Sequence, residues 1–392
     1  MAYITSSVTG GVLTIFLSGR IYTANADAVE AEINAARSEN EHTSVVLDAE
    51  KLEYSTSSGL RVVLRLRKAE PALKIINVSS ELYEIFEMTG FTEMLPVERA
   101  MRKLSVEGCE VVGCGAKGTV YRYDPETIVK VYKNPDSLPD IKNERELARR
   151  AFVLGIPTAI PYDIVRVGKS YGSVFELLNA KSFSKLIVEH PEQIDAYVGQ
   201  FASLLRQIHE TPVKKDDVPD VKIIVRKWIV TAAAELPAPQ TERLTSLVDA
   251  VPDVNTLLHC DYHTNNIMMQ NGETLLIDMD TLSRGHAVFE LANVYITYVG
   301  FGVVDPGIVE SFMGMPYELT SRIWREFLPK YLQSDDPAYI KSVSDKVELM
   351  SSVRLLRHVV RRGITDDVAR QTVSYCKDRI AVLLDTVDTL DF

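Results

Sequence analysis

The sequence predicts two folded parts of mixed class, a small α/β domain followed by a larger α+β domain that ends in helices. Three observations predict it. Strand-like and helix-like runs alternate over roughly the first hundred residues, a glycine-rich hairpin opens the second part, and beyond about residue 300 the apolar spacing is helical.

With 392 residues, 46% of them hydrophobic, the chain has enough apolar surface for two or three compact units. A formal net charge of −11 argues against broad nucleic-acid binding. It is compatible with a cationic substrate, and equally with solubility alone. The four cysteines, Cys109, Cys114, Cys260 and Cys376, form no CxxC pair and no zinc-like spacing, which fits a reducing cytoplasm. No basic start leads into an apolar core, and no apolar run approaches the ~18 residues of a membrane helix. The expectation is a cytoplasmic protein without nucleic-acid or membrane partners.

In the first part, "YITSSVTGGVLTIFLSG" reads as a hairpin turning at Gly10-Gly11. "ADAVEAEINAARSEN" reads as a helix with Val29, Ile33 and Ala36 on its apolar face. "SVVLDAE" is a buried strand, "SSGLRVVLRLRK" a helix, "LKIINVS" a strand, and "ELYEIFEMTGF" a helix closing at Gly90. In the second of these helices Leu60, Val63 and Leu64 are expected in the core. Arg61, Arg65 and Lys68 line another face, either simply solvated or able to dock an acidic surface, including that of this chain's second part.

The stretch "VVLDAEKLEYSTSSGLRVVL", with the later "LYEIFEMTGF", resembles the STAS domain, the sulphate-transporter and anti-sigma-factor-antagonist family. The resemblance spans residues 1–105. It implies a regulatory or docking domain, and a phosphoacceptor serine at a helix start that matches Ser58, beside Ser57. The aspartate of the family's Asp-Ser-Ser-Gly turn is Thr56 here. A serine at that point is also an ordinary helix cap, and a phosphate there would meet the free N–H groups and the dipole of the helix.

A boundary is expected near "RKLSVEG". Beyond it, Gly113, Gly115 and Gly118 make GxGxxG, followed by Val120. A dinucleotide loop would run from a strand into a helix, whereas this one runs into "TVYRYDPETIVKVYK", a hairpin turning at Asp124-Pro125. Strand, glycine loop and strand form a lid whose backbone N–H groups can approach phosphates. The returning strand brings Lys130, and the helix-like "IKNERELARRAF" follows with Glu144 as its ion-pair partner and Glu146 as the alternative. Glu144 places Leu147 and Ala148 at i+3 and i+4 on its own flank.

In "LLHCDYHTNNIMM", residues 257–269, and "TLLIDMD", two apolar runs flanking a polar loop suggest a strand pair that gathers Asp261, Asn266 and Asp278. Such oxygen-rich side chains suit a hard divalent cation and a proton acceptor. Together with the lid, they resemble the protein-kinase-like fold over residues 108–300. The resemblance implies two lobes: residues 106–180 as the smaller lobe and hinge, and 181–392 as the larger lobe with a helical acceptor region. It also implies ATP and Mg2+ as cofactors, Asp261 as the catalytic base, Asn266 and Asp278 as metal ligands, and adenine held by the backbone of Glu176 and Leu178 in "YGSVFELLNAKSF".

"HCD", "DMD" and "FELAN", with too short a stretch between Asp278 and Glu290 for an activation loop, look like the aminoglycoside and choline kinase type of phosphotransferase. That type implies a small-molecule hydroxyl acceptor. The alternatives are a protein kinase acting on STAS serines, its own or a partner's, and a nucleotide-sensing scaffold. Tyrosines and acids of "YITYVGFG" and "MPYELTSRIWREF" are compatible with a cationic acceptor and also with plain core packing.

Overall fold

A computed structural model describes residues 3–115 and 117–392. The chain divides into two compact units, Met1–Ser105 and Val106–Phe392.

In the first unit β1 (Ile4–Thr9) and β2 (Val12–Ile21) pair antiparallel through Gly10 and Gly11, whose φ values of +58° and +79° match the twist of a two-residue hairpin turn. Then follow α1 (Ala26–Glu39), β3 (Ser44–Ser55), α2 (Ser57–Ala69), β4 (Lys74–Val78), α3 (Ser80–Met88), α4 (Phe91–Met94), β5 (Val97–Arg99) and the two-residue strand β6 (Lys103–Leu104). The sheet order is β1-β2-β3-β4-β5, and β2 through β5 pair parallel. Leu13, Ile15, Leu47, Leu73 and Ile75 are fully buried in its core, as continuous apolar parallel strands require.

Two local expectations need correction, and one holds. In α2 the core-facing set is Leu60, Val62, Val63 and Leu66, with Leu64 only half-buried, because at about 100° per residue the buried face centres on Val62, Val63 and Leu66, and of the apolar residues Leu64 points farthest from it. Of the basic set, Arg65 is engaged within the unit by Glu30 of α1, its Nε 2.7 Å from Oε1. The third helix closes at Gly90 as expected: α3 stops at Met88, and Gly90, at φ +74°, turns the chain into the separate turn α4.

The second unit opens with β7 (Glu110–Cys114), β8 (Gly118–Arg122), β9 (Thr127–Tyr132), α5 (Leu138–Val153), β10 (Pro161–Val167) and β11 (Ser170–Glu176). Within it β10, β11, β9, β8 and β7 lie side by side in that order, all antiparallel. Next come β12 (Lys181–Ser182), α6 (Phe183–Glu189), α7 (Ile194–Glu210), α8 (Val221–Ala232) and α9 (Ala238–Ala250). Short strands β13 (Leu257–Leu258), β14 (Ile267–Gln270), β15 (Glu273–Leu276) and β16 (Ser283–Arg284) precede α10 (Ala287–Tyr298), α11 (Pro306–Met313), α12 (Tyr317–Leu332), α13 (Pro337–Arg362) and α14 (Asp367–Leu384).

The polar loop is held differently from the expected strand pair. Leu257–Leu258 pairs with Ser283–Arg284, while Ile267–Gln270 pairs with Glu273–Leu276 around Asn271 and Gly272. Residues 259–266 and 277–282 therefore hang between two ribbons. Leu205, Leu257, Leu258, Phe289, Leu291 and Met350 are fully buried behind them, so the loops rest on a rigid apolar base. Among the described residues no helix is long and apolar enough to cross a membrane.

Candidate active site

The glycine lid is a tight hairpin end. Gly113 faces Val120 across β7 and β8, and the Gly115 N–H donates to the Gly118 carbonyl at 2.9 Å. A Cβ on Gly118 would stand 2.3 Å from the Val131 carbonyl oxygen of β9, so no side chain fits there. Lys133 Nζ donates to the Gly115 carbonyl at 2.8 Å, tying the lid to the returning strand.

Lys130 lies opposite Val120 in the ladder, and its ammonium donates to Glu144 Oε1 at 2.7 Å and lies 3.4 Å from Asp278 Oδ1. Glu144 is buried in α5, and its other oxygen accepts from the Tyr132 hydroxyl at 2.8 Å. The weighed alternative, Glu146, sits on the opposite flank of α5 with Arg149 and Arg150, which hold its carboxyl at about 2. Burial alone would lower the Lys130 ammonium; Asp278 and Glu144 more than offset it, so the group is firmly charged.

Across the cleft, Asp261 is half-buried. Burial pushes its carboxyl up, but the His263 imidazole, with Nε2 3.8 Å from Oδ2, and the charges of His259 and Arg354 prevail and hold it at about 2. Asn266 Nδ2 donates to the Asp261 carbonyl at 3.0 Å, which leaves its amide oxygen as an acceptor. The Ile277 N–H donates to the Asn266 carbonyl at 2.9 Å, and this bond carries Asp278 alongside. The structure therefore gathers Lys130, Glu144 and Asp278 directly, and Asp261 with Asn266. An amide oxygen and a carboxylate fit a magnesium ion, which typically takes one or two protein oxygens and completes its shell with phosphates and water.

Sequence reasoning missed the support beneath this loop. Glu290, fully buried in α10, accepts from the backbone N–H groups of His259 at 2.8 Å and Cys260 at 2.7 Å. His209 Nε2, on α7, is 2.8 Å from the same carboxylate, and the Asn293 amide donates to the Cys260 carbonyl at 3.0 Å. These bonds hold Cys260 at φ +65°, a left-handed conformation that a non-glycine residue adopts only when its surroundings impose it. Asp278 is held at φ +65° as well. "FELAN" was the available signal: its acid and its amide three residues apart share one helix face.

The remaining candidates fall as follows. Glu176 ends β11 with its N–H donated to the Ile160 carbonyl at 3.1 Å, and Leu178 lies just past the strand, its N–H without a protein partner among the described residues. Asp280 forms an ion pair with Lys117 of the lid. In the first unit Thr56, not a serine, occupies the N-cap position of α2, without a side-chain cap bond. Ser57 is exposed, whereas the Ser58 hydroxyl donates to Thr23 Oγ1 at 3.0 Å.

The family described as "Phosphotransferase enzyme family" matches residues 109–313, more than half of the chain. The chain belongs to this family. The phosphotransferase also carries an N-terminal STAS domain, matched over residues 3–121. That region is similar to the Bordetella bronchiseptica protein BtrV, named for the anti-sigma factor antagonists, with 38% identity over 91 residues, 22% of this chain and 78% of the relative. Among solved structures, an ADP-bound aminoglycoside phosphotransferase APH(2'')-Ib is similar at 14% identity, covering 79% of this chain and 99% of its own, with a TM-score of 0.48. A choline/ethanolamine kinase family protein from Mesorhizobium loti is similar at 14% identity, covering 71% and 88%, with a TM-score of 0.44.

Proposed function

We propose that this phosphotransferase moves the γ-phosphoryl group of ATP to a hydroxyl of a small molecule, while its STAS domain regulates the enzyme or docks a regulatory protein. The observation that carries the reading is the Lys130–Glu144 ion pair sharing Asp278 with the loop that presents Asp261 and Asn266. Lys130 and the N–H groups of the lid bind phosphate oxygens, and the backbone of Glu176 and Leu178 borders the adenine. Asn266 and Asp278 would hold magnesium, which when bound screens the charge on the phosphates. The acceptor O–H is oriented by Asp261. As the O–P bond forms and the bond to the ADP oxygen breaks, the hydroxyl proton passes to the Asp261 carboxylate.

The second reading, phosphorylation of STAS serines, is favoured by exposed Ser57 at the first residue of α2, where a phosphate would meet helix N–H groups. The full-length chain incubated with magnesium and ATP separates the two. ADP release that depends on an added hydroxyl compound, with the chain's intact mass unchanged, is the expected outcome. Addition of phosphate to Ser57 or Ser58 with no small acceptor consumed would favour the second reading.

A further inference from the structure

The last turns of α13 carry Arg354, Arg357, His358, Arg361 and Arg362. Positions 354, 357, 358 and 361 follow i, i+3, i+4, i+7, so they form one stripe, about 10 Å long at 1.5 Å per residue. None of these four arginines has a carboxylate within ion-pair distance among the described residues, although the chain has a net charge of −11. Glu348, an acid one to two turns earlier on the same helix, is already taken by Arg379 at 2.8 Å.

Helix-dipole complementarity accounts for Arg361 and Arg362 in the last turn but not for Arg354 and Arg357, which lie further inside the helix. Arg354 is half-buried and acts on Asp261 and Cys260 of the catalytic loop, its guanidinium 5.4 Å from the Trp228 ring centre. His358 meets the edge of Phe301 at 5.3 Å, while Phe312, half exposed, meets the edge of His263 at 5.1 Å. Burial first, and then the neighbouring arginines, push the His358 imidazole down. Arg357 is half-buried with no carboxylate partner among the described residues, and such a cation becomes more favourable when an anion joins it.

We propose that the stripe Arg354, Arg357 and Arg361 binds an anionic group of the acceptor, so that the substrate is a hydroxylated compound bearing a carboxylate or a phosphate. This replaces the cationic acceptor with which the acidic composition is compatible, and it rests on the phosphotransfer reading of the same site. Arg354, whose charge acts on Asp261, neutralises the part of the acceptor near the reacting hydroxyl, and Arg357 and Arg361 take the more distant anion.

The test is calorimetric titration of the full chain, held with AMP-PNP and magnesium, with glycerol, choline, D-glycerate and sn-glycerol 3-phosphate. The expected result is that one or both anions bind at least about tenfold more tightly than glycerol and choline, in line with a charge-assisted hydrogen bond. Which anion is preferred tells carboxylate from phosphate. The preference should vanish in Arg357→Gln/Arg361→Gln and in Arg361→Glu, an exposed charge reversal whose melting temperature checks the fold. Choline binding as tightly as the anions, no difference among the four compounds, or an anion preference that survives both variants would each overturn the proposal. Failure of AMP-PNP itself to bind would instead strike the phosphotransfer reading.

Discussion

Asp261→Asn is expected to lower kcat by roughly a hundred- to ten-thousand-fold while nucleotide affinity stays nearly unchanged. The amide keeps the size of the side chain and its contact with Asn266, but it cannot take the hydroxyl proton. Its pKa of about 2 in the wild type adds a second signature. A group held that low is protonated only as the pH falls through that value, so Asp261 contributes no acidic limb to kcat/KM across the neutral and mildly acidic range. Steady-state rates against pH for both proteins check the claim. Unchanged turnover in the variant would remove Asp261 from the chemistry.

Glu290→Ala is expected to damage both stability and activity. The substitution leaves two buried backbone N–H groups, those of His259 and Cys260, and the His209 imidazole without their shared acceptor. Leaving buried donors unpaired costs about 3 kcal/mol or more in total. Because Cys260 is held in a left-handed conformation by these same bonds, the loop carrying Asp261 should relax and kcat should fall with the stability. Urea unfolding gives the first number and steady-state kinetics the second. A midpoint and a kcat both equal to wild type would show that Glu290 does not organise the loop.

What the sequence made legible is local and periodic. The lid could be read because a glycine pattern leading into a second strand has few structural meanings, and the two acids of α5 could be ranked because residues two apart point to opposite helix flanks. Glu144 is buried with Leu147 and Ala148, while Glu146 is half-exposed among arginines. The polar loop, in contrast, was assigned the wrong strand partner. Leu257–Leu258 and Ser283–Arg284 are too short to show an alternating pattern, and tertiary context alone sets their pairing.

Glu290 escaped notice because its partners are backbone N–H groups, present at every residue but proline, so no residue type marks them. The α13 stripe escaped because its arginines lie far along the chain from Asp261 and alone resemble an ordinary solvated helix end. The N-cap of α2 was misplaced because the run "STSS" offers several cap-competent hydroxyl residues in succession.

The central claim is that the cleft between Lys130 and Asp261 is a magnesium-dependent nucleotide site, and calorimetric titration of the full chain with AMP-PNP tests it most directly. The account predicts binding that is tighter with magnesium than with EDTA, and an Asp278→Ala variant that binds equally in both. No binding in either condition, or a magnesium effect that survives Asp278→Ala, would contradict it.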